Sequence, residues 1–196
     1  MSRRIERGIL SPRAMRLAQT AVTAADGLYR EQRCFVEARQ RVHGSELYCR
    51  IETPKGAFVA QRAPLERWIP SPADCCYFPD TLDRAGRPLE AIVCSSQPGA
   101  PGGRVPVKPV ALLRVHTRRG WEDVVLCVAL DDPPWRSIER AHDLPARLRD
   151  DIQQFLSARS ARGGVGPSVA WCPRDDALTA IDDAAARWAA TVNGHG

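Results

Sequence analysis

From Glu46 onward the chain alternates short apolar runs with proline and glycine breaks, a pattern that predicts strands first and helices last. Leu47-Tyr48-Cys49-Arg50-Ile51-Glu52 mixes apolar and polar positions and stops at Pro54, and Ala57-Phe58-Val59-Ala60-Gln61-Arg62 repeats the pattern and stops at Pro64. Lys55-Gly56 reads as a tight connection between these two strands. A proline-rich passage through Pro64, Pro70, Pro72 and Pro79 follows, and further strands are expected at Ala91 to Cys94, Val105 to Arg114 and Asp123 to Leu130. Gln97 to Gly103 is a loop by composition.

Helical spacing then takes over. Asp143-Leu144-Pro145 reads as a helix start, with Asp143 as N-cap and the proline in the first turn. Leu148, Ile152, Phe155 and Leu156 mark one apolar face that runs to about Ala161, and Gly163 to Pro167 breaks it. A last helix from Arg174 or Asp175 to Val192 is expected to turn Leu178, Ile181, Ala185 and Trp188 inward. Residues 1–45 stand apart as a basic, partly helical extension with two helical pieces divided at Gly27, leaving 46–196 as the main domain. Short strands with proline and glycine turns, then helices, imply an α+β fold built on a small barrel or sandwich.

Composition narrows the function classes. Apolar residues make up 44% of the chain and charged ones 26%, which suits a folded domain. No run approaches the ~20 apolar residues of a membrane span, and the N-terminal MSRRIERGIL lacks the apolar stretch of a signal peptide, so a cytoplasmic protein without a membrane partner is expected. The net charge of +5 rests on arginine, since Lys55 and Lys108 are the only lysines. Arginine suits bidentate contact with phosphate or carboxylate, although a genomic preference for arginine codons gives the same count. The basic arm has little aromatic interleaving, so nucleic acid is not the expected partner. The seven cysteines include no C-x-x-C pair, and they read as buried thiols rather than a zinc site or a disulfide framework. The four histidines show no metal-ligand spacing; His116 alone falls near the residues discussed next.

Six local patterns, in order, carry a resemblance. They are Arg50-Ile51-Glu52-Thr53-Pro54, then Thr81-Leu82 with Gly86-x-Pro88, then Val110-Ala111-Leu112-Leu113-Arg114. Ser137-Ile138, Asp143-Leu144-Pro145 with Ile152 and Phe155, and Val169-Ala170-Trp171 follow. Over roughly Glu46 to Ala190 the chain resembles the soluble, magnesium-dependent inorganic pyrophosphatases. The resemblance implies a mostly antiparallel OB-like β-barrel flanked by C-terminal helices, and a homo-oligomer. It also implies a site where carboxylates from several strands hold Mg²⁺ ions around diphosphate and a metal-bridged hydroxide attacks phosphorus.

The content of that site departs from the family. In the turn that carries the family's D-G-D-P-x-D motif, Ala85 and Arg87 replace two aspartates and Glu90 stands for the third, which makes the local charge more positive by about three units. Thr117 replaces another aspartate, Glu122 or Asp123 stands at the next, and Cys75 falls where the family has a tyrosine. Arg159 and Ser160 replace its paired tyrosine and lysine, and the K-Y-E hairpin is missing between Glu52 and Ala57. By resemblance, Glu52, Glu90 and Asp123 are the candidate metal ligands, with Asp123 as the candidate catalytic group, and Arg62, Arg87 and Arg159 are the candidate phosphate-binding residues. The bland reading of each is a strand-face acid paired with an arginine, a turn aspartate, or a surface charge. Mg²⁺ is expected to bind weakly or not at all, and the partner is expected to be diphosphate or another small anion. The sequence therefore supports a family member with lost or weakened diphosphate hydrolysis and an arginine-lined anion cleft. The alternatives are an active diphosphatase with a reduced metal site and a structural partner of an active pyrophosphatase.

Overall fold

The computed structural model describes residues 47–61, 67–117, 120–160 and 169–193. The chain divides into two units, Met1–Gln40 and Arg41–Gly196, and all described residues belong to the second. The expected extension at 1–45 lies outside them.

Among the described residues, eight strands and three α-helices follow one another. They are β1 Tyr48–Thr53, β2 Phe58–Gln61, β3 Arg67–Pro70, β4 Asp74–Tyr77, β5 Glu90–Cys94, β6 Arg104–Thr117, β7 Gly120–Ala129, α1 Pro133–Arg136, α2 Ala146–Ser160, β8 Val169–Cys172 and α3 Arg174–Asn193. The main sheet runs β1-β4-β5-β7-β6-β8, and β6 also pairs with β1. That second pairing closes a five-stranded ring, because the start of the 14-residue β6 bonds β1 while the rest of it bonds β7 and β8. All pairings are antiparallel except β5 with β7. Closure removes the unpaired edges that an open sheet of these apolar strands would present. The result is the expected α+β architecture, an OB-like barrel with helices outside.

Three strands escape the sequence pattern: β3, β4 and β8. β3 and β4 lie in the proline-rich passage, and in β4 Asp74, Cys75 and Cys76 are all buried, so no apolar-polar alternation marks it. Lys55-Gly56 does not join a hairpin: β1 pairs with β4 and β6, whereas β2 pairs with β3 in a separate two-stranded sheet.

The strands bury both faces. One face collects Ile51, Phe78, Leu89, Val93, Leu112 and Val125 with Ala177, Ile181 and Ala184 of α3. The other collects Cys75, Ile92, Leu113, Val115, Val124 and Leu126 with Ile152, Phe155 and Leu156 of α2. In α3 the buried line is Ala177, Ile181 and Ala184, while Leu178, Ala185 and Trp188 are only half-buried. The helix thus turns its small alanines to the sheet, which lets the backbones approach, and carries the larger residues to the side. Asp143 also differs from expectation. It closes a preceding 3₁₀ turn by accepting from the Glu139 and Arg140 amides, because Leu144 before Pro145 is extended and separates it from α2.

One buried carboxylate ties the loops together. Asp74 accepts the Lys55 amide at 2.6 Å, the Gly99 amide at 3.2 Å and the Ser95 hydroxyl at 3.4 Å. Lys55 Nζ in turn donates to the Ser95 carbonyl at 3.1 Å. At Gly99 the chain passes so close that a Cβ would lie 2.1 Å from Ile51 Cδ1.

Two outcomes follow. Asp74→Ala leaves three donors facing a void, and chemical denaturation should show a loss of roughly 2–3 kcal/mol; a loss below about 0.5 kcal/mol would mean the carboxylate ties nothing. Burial pushes the thiols of Cys75, Cys76 and Cys94 upward from 9.0, Cys94 to about 12. Unfolded thiols ionise first, so their contribution is intact below pH 9.0 and is lost as pH rises towards 12. Denaturation midpoints should therefore fall above pH 9.0, and Cys94→Ala should flatten the slope by up to about 1.4 kcal/mol per pH unit. An unchanged slope counts against it.

Candidate functional site

The turn between β4 and β5 is built by one aspartate. Asp83 Oδ1 accepts the amides of Ala85 and Arg87, both at 2.8 Å, while its Oδ2 accepts Arg87 Nε at 3.0 Å and Nη2 at 2.9 Å. The Asp83 amide donates to the Arg87 carbonyl at 2.6 Å, and Gly86 completes the turn at φ +75°, where a residue with a Cβ would be strained. Thr81 anchors the entry and exit, its hydroxyl donating to the Phe78 carbonyl and accepting the Leu89 amide.

From this turn Arg87 reaches across to β7, with its Nη2 3.4 Å from Glu122 Oε1. Thr117, at the end of β6, also approaches Glu122, at 3.4 Å. At the start of β5, Glu90 pairs with Arg159 from the last turn of α2. Burial works against the charge on each arginine. For Arg87 the Asp83 hydrogen bond and the charges of Asp83, Glu122 and Glu90 outweigh it and hold the pKa above its ordinary value. For Arg159 the charges of Glu90, Cys75 and Glu122 and the Glu90 hydrogen bond do the same. Both guanidiniums are locked in their charged form.

Register decides which candidates meet. Tyr77 lies opposite Glu90 and Arg50 opposite Tyr77, so these three form a row across β1, β4 and β5. Burial raises the Tyr77 hydroxyl, opposed by Arg50 and assisted by Glu52, which places both charges near that row. Cys75, buried against the Ser71 hydroxyl at 3.2 Å, feels Arg159, Glu90 and Glu52. Glu52, Glu90, Arg87 and Arg159 are thus gathered with Glu122 at one end of the barrel strands.

Asp123 is not. Side chains alternate along a strand, so Glu122 shares the face of Val124 and Asp123 that of Val125, in the opposite core. There Asp123 Oδ1 lies 3.4 Å from Arg114 Nε, its cross-strand partner. The pairing of Thr117 with Gly120 fixes this register and brings Glu122, rather than Asp123, to Arg87. Arg62 lies outside the described residues. Asp83 falls outside the motifs matched in the sequence, and Glu122 stands there as an alternative to Asp123; the pairing of Thr117 with Gly120 is what separates the two acids.

The magnesium sites implied by the resemblance can be tested on these donors. Asp83 spends its carboxylate on four hydrogen bonds, Glu90 is taken by Arg159, and Glu122 is shared by Arg87 and Thr117. Among the described residues no three His, Cys, Asp or Glu side chains converge as metal ligands do. A divalent cation about 4 Å from a guanidinium would meet a repulsion of roughly 8 kcal/mol at an effective dielectric of about 20. As arranged, these residues do not make a magnesium cradle.

Known proteins can be set beside this geometry. The family model "Inorganic pyrophosphatase" matches residues 42–189. The inorganic pyrophosphatase of Methanosarcina acetivorans is 34% identical over 118 residues, which cover 60% of this chain and 70% of that protein. The enzyme of that name from Methanosarcina mazei is 38% identical over 85 residues, covering 43% of this chain and half of that protein. The crystal structure of inorganic pyrophosphatase from Thermus thermophilus superposes with a TM-score of 0.62 at 25% identity, over 78% of this chain and 97% of that one. The matched stretch is the one that forms the closed barrel and its two long helices, and the chain belongs to the inorganic pyrophosphatase family.

Proposed function

We propose that this chain has lost most or all of the magnesium-dependent hydrolysis of diphosphate and keeps, in its place, an arginine-lined cleft for a phosphate-type anion. The observation that supports the reading is the pairing of Arg87 with Asp83 and Glu122, and of Arg159 with Glu90. Hydrolysis in a site of this kind needs carboxylates free to hold cations, and here tethered cations already hold them. Displacing a guanidinium by Mg²⁺ would cost the pair and the partial dehydration of a reluctant ion together.

The anion half of the proposal rests on donors left over. A guanidinium carries five N–H groups; Arg159 meets Glu90 through Nη2, and Arg87 uses Nε and Nη2. The remaining donors, with Arg50 on the neighbouring strand and Arg62 by sequence, are what an incoming phosphate would meet. The pairing of Asp123 with Arg114 and of Glu90 with Arg159 speaks against the alternative, an active diphosphatase using Glu52, Glu90 and Asp123. A homo-oligomer in the cytoplasm remains part of the proposal on family grounds alone.

Two measurements test this reading. Phosphate release from diphosphate with millimolar Mg²⁺ should not exceed that of a Glu90→Gln variant, and a Mg²⁺-dependent rate abolished by that change would overturn the loss of activity. Ala85→Asp with Arg87→Asp restores two acids and removes the tethered cation. This double variant should gain a melting-temperature rise with Mg²⁺ that the parent lacks, on the order of the ~2.7 kcal/mol expected at a hundredfold excess over the dissociation constant. Equal responses of parent and variant to Mg²⁺ would show that the arginine is not what keeps the metal out.

A further inference from the structure

On the opposite face of β6 and β7 from Glu90 lies a second concavity, of about 390 Å³, lined by Arg84, Arg114, Trp121, Asp123, Ala170 and Cys172. The strand register assembles it: Arg114 stands between Asp123 on β7 and Ala170 on β8, and Trp121 stands opposite His116. Arg84 enters from the β4–β5 turn, two residues after Leu82, whose amide bonds the Ala184 carbonyl of α3 and whose carbonyl accepts Arg187 Nε at 2.8 Å. The lip that carries Arg84 is therefore fastened to α3.

A single exposed tryptophan on a strand needs no explanation by itself. Trp121, however, is 56% exposed at the rim of a cavity, and its ring contact among the described residues is with the edge of His116, at 5.0 Å and 60°. That contact leaves an indole face open. The two arginines beside it are also underused. Arg84 has no ion-pair or hydrogen-bond partner among the described residues, and Arg114 meets Asp123 through Nε alone, at 3.4 Å. Open indole, two guanidiniums with donors to spare and one carboxylate in a single recess describe the complement of a planar ring that carries an anionic group.

We infer that this cavity binds a nucleoside monophosphate, with the base stacked on Trp121, the phosphate held by Arg84 and Arg114, and Asp123 accepting from an amino group on the base. Guanidinium pairs match phosphate oxygens, and an open indole stacks on any base. An ionised carboxylate can only accept, so it favours a base edge with an amino donor. The volume falls near the lower end of small-ligand sites and suits one nucleotide rather than a longer chain. The recess borders a second one in which Arg84, Trp121 and Asp123 meet Asp83, Arg87 and Glu122, but the inference does not rest on the loss of hydrolysis, since its contacts are made by Arg84, Arg114, Trp121 and Asp123.

The test is calorimetric titration of the full chain with AMP, alongside adenosine, UMP and inorganic phosphate, and tryptophan fluorescence as a second readout. AMP should bind saturably and quench fluorescence, while adenosine and phosphate each bind at least tenfold more weakly and UMP more weakly than AMP. Trp121→Ala should abolish the quench and weaken AMP at least tenfold, with Trp121→Phe retaining most of the binding. Arg84→Ala, at an exposed position that leaves folding intact, should weaken AMP but not adenosine. No AMP binding at millimolar concentration overturns the inference, as does binding that survives both Trp121→Ala and Arg84→Ala. Phosphate binding as tight as AMP would make the recess an anion site only and equally overturn it.

Discussion

Carboxylates gathered at the end of a barrel must be neutralised, and whatever neutralises them decides what the site can do. A metal ion dissociates, exchanges its waters and polarises what it touches; a guanidinium is covalently tied to the chain and does none of these. In this protein Asp83, Glu90 and Glu122 are neutralised by Arg87 and Arg159. The pairing is structural as well as electrostatic, because Asp83 uses the same carboxylate to fold the 83–87 turn and to hold Arg87. The shape of the turn and the charge inside it thus rest on the same aspartate.

The fold was largely legible because its signals are local. Proline and glycine breaks, apolar runs and the order of short motifs each survive without knowledge of any partner, and they led to the barrel and to both long helices. What escaped was set by tertiary context. β4 is buried on both faces, so its pattern carries no period, and β3 lies among prolines that read as loop. On α3 the rule that larger residues face inward held for Ile181 and failed for Leu178 and Trp188, because the alanines at 177 and 184 permit a closer approach than leucine or tryptophan would.

The site was legible in content but not in pairing. Ala85 and Arg87 could be read as a reversal of charge from the turn alone. That Arg159 closes on Glu90, 69 residues away, could not, since only the packing of α2 against the barrel brings them together. The choice between Glu122 and Asp123 turns on register. A strand's period is two, so a shift of one residue moves a side chain to the other face, and motif matching with an uncertain hairpin carries an error of that size.

That one-residue difference also divides the labour of β7. Glu122 and Asp123 are neighbours in sequence, yet one faces Arg87 beside Glu90 and the other faces Arg114 beneath Trp121. On the β4–β5 turn Arg87 is directed to Glu122, while Arg84 lines both the recess beside Trp121 and the one that holds Arg87 and Glu122. A ligand in that recess would bear on the same short turn that fixes Arg87, through a backbone held at Asp83 and fastened to α3 at Leu82. The two sets of charges therefore meet at the β4–β5 turn, where Arg84, Arg87, Glu122 and Asp123 border one recess.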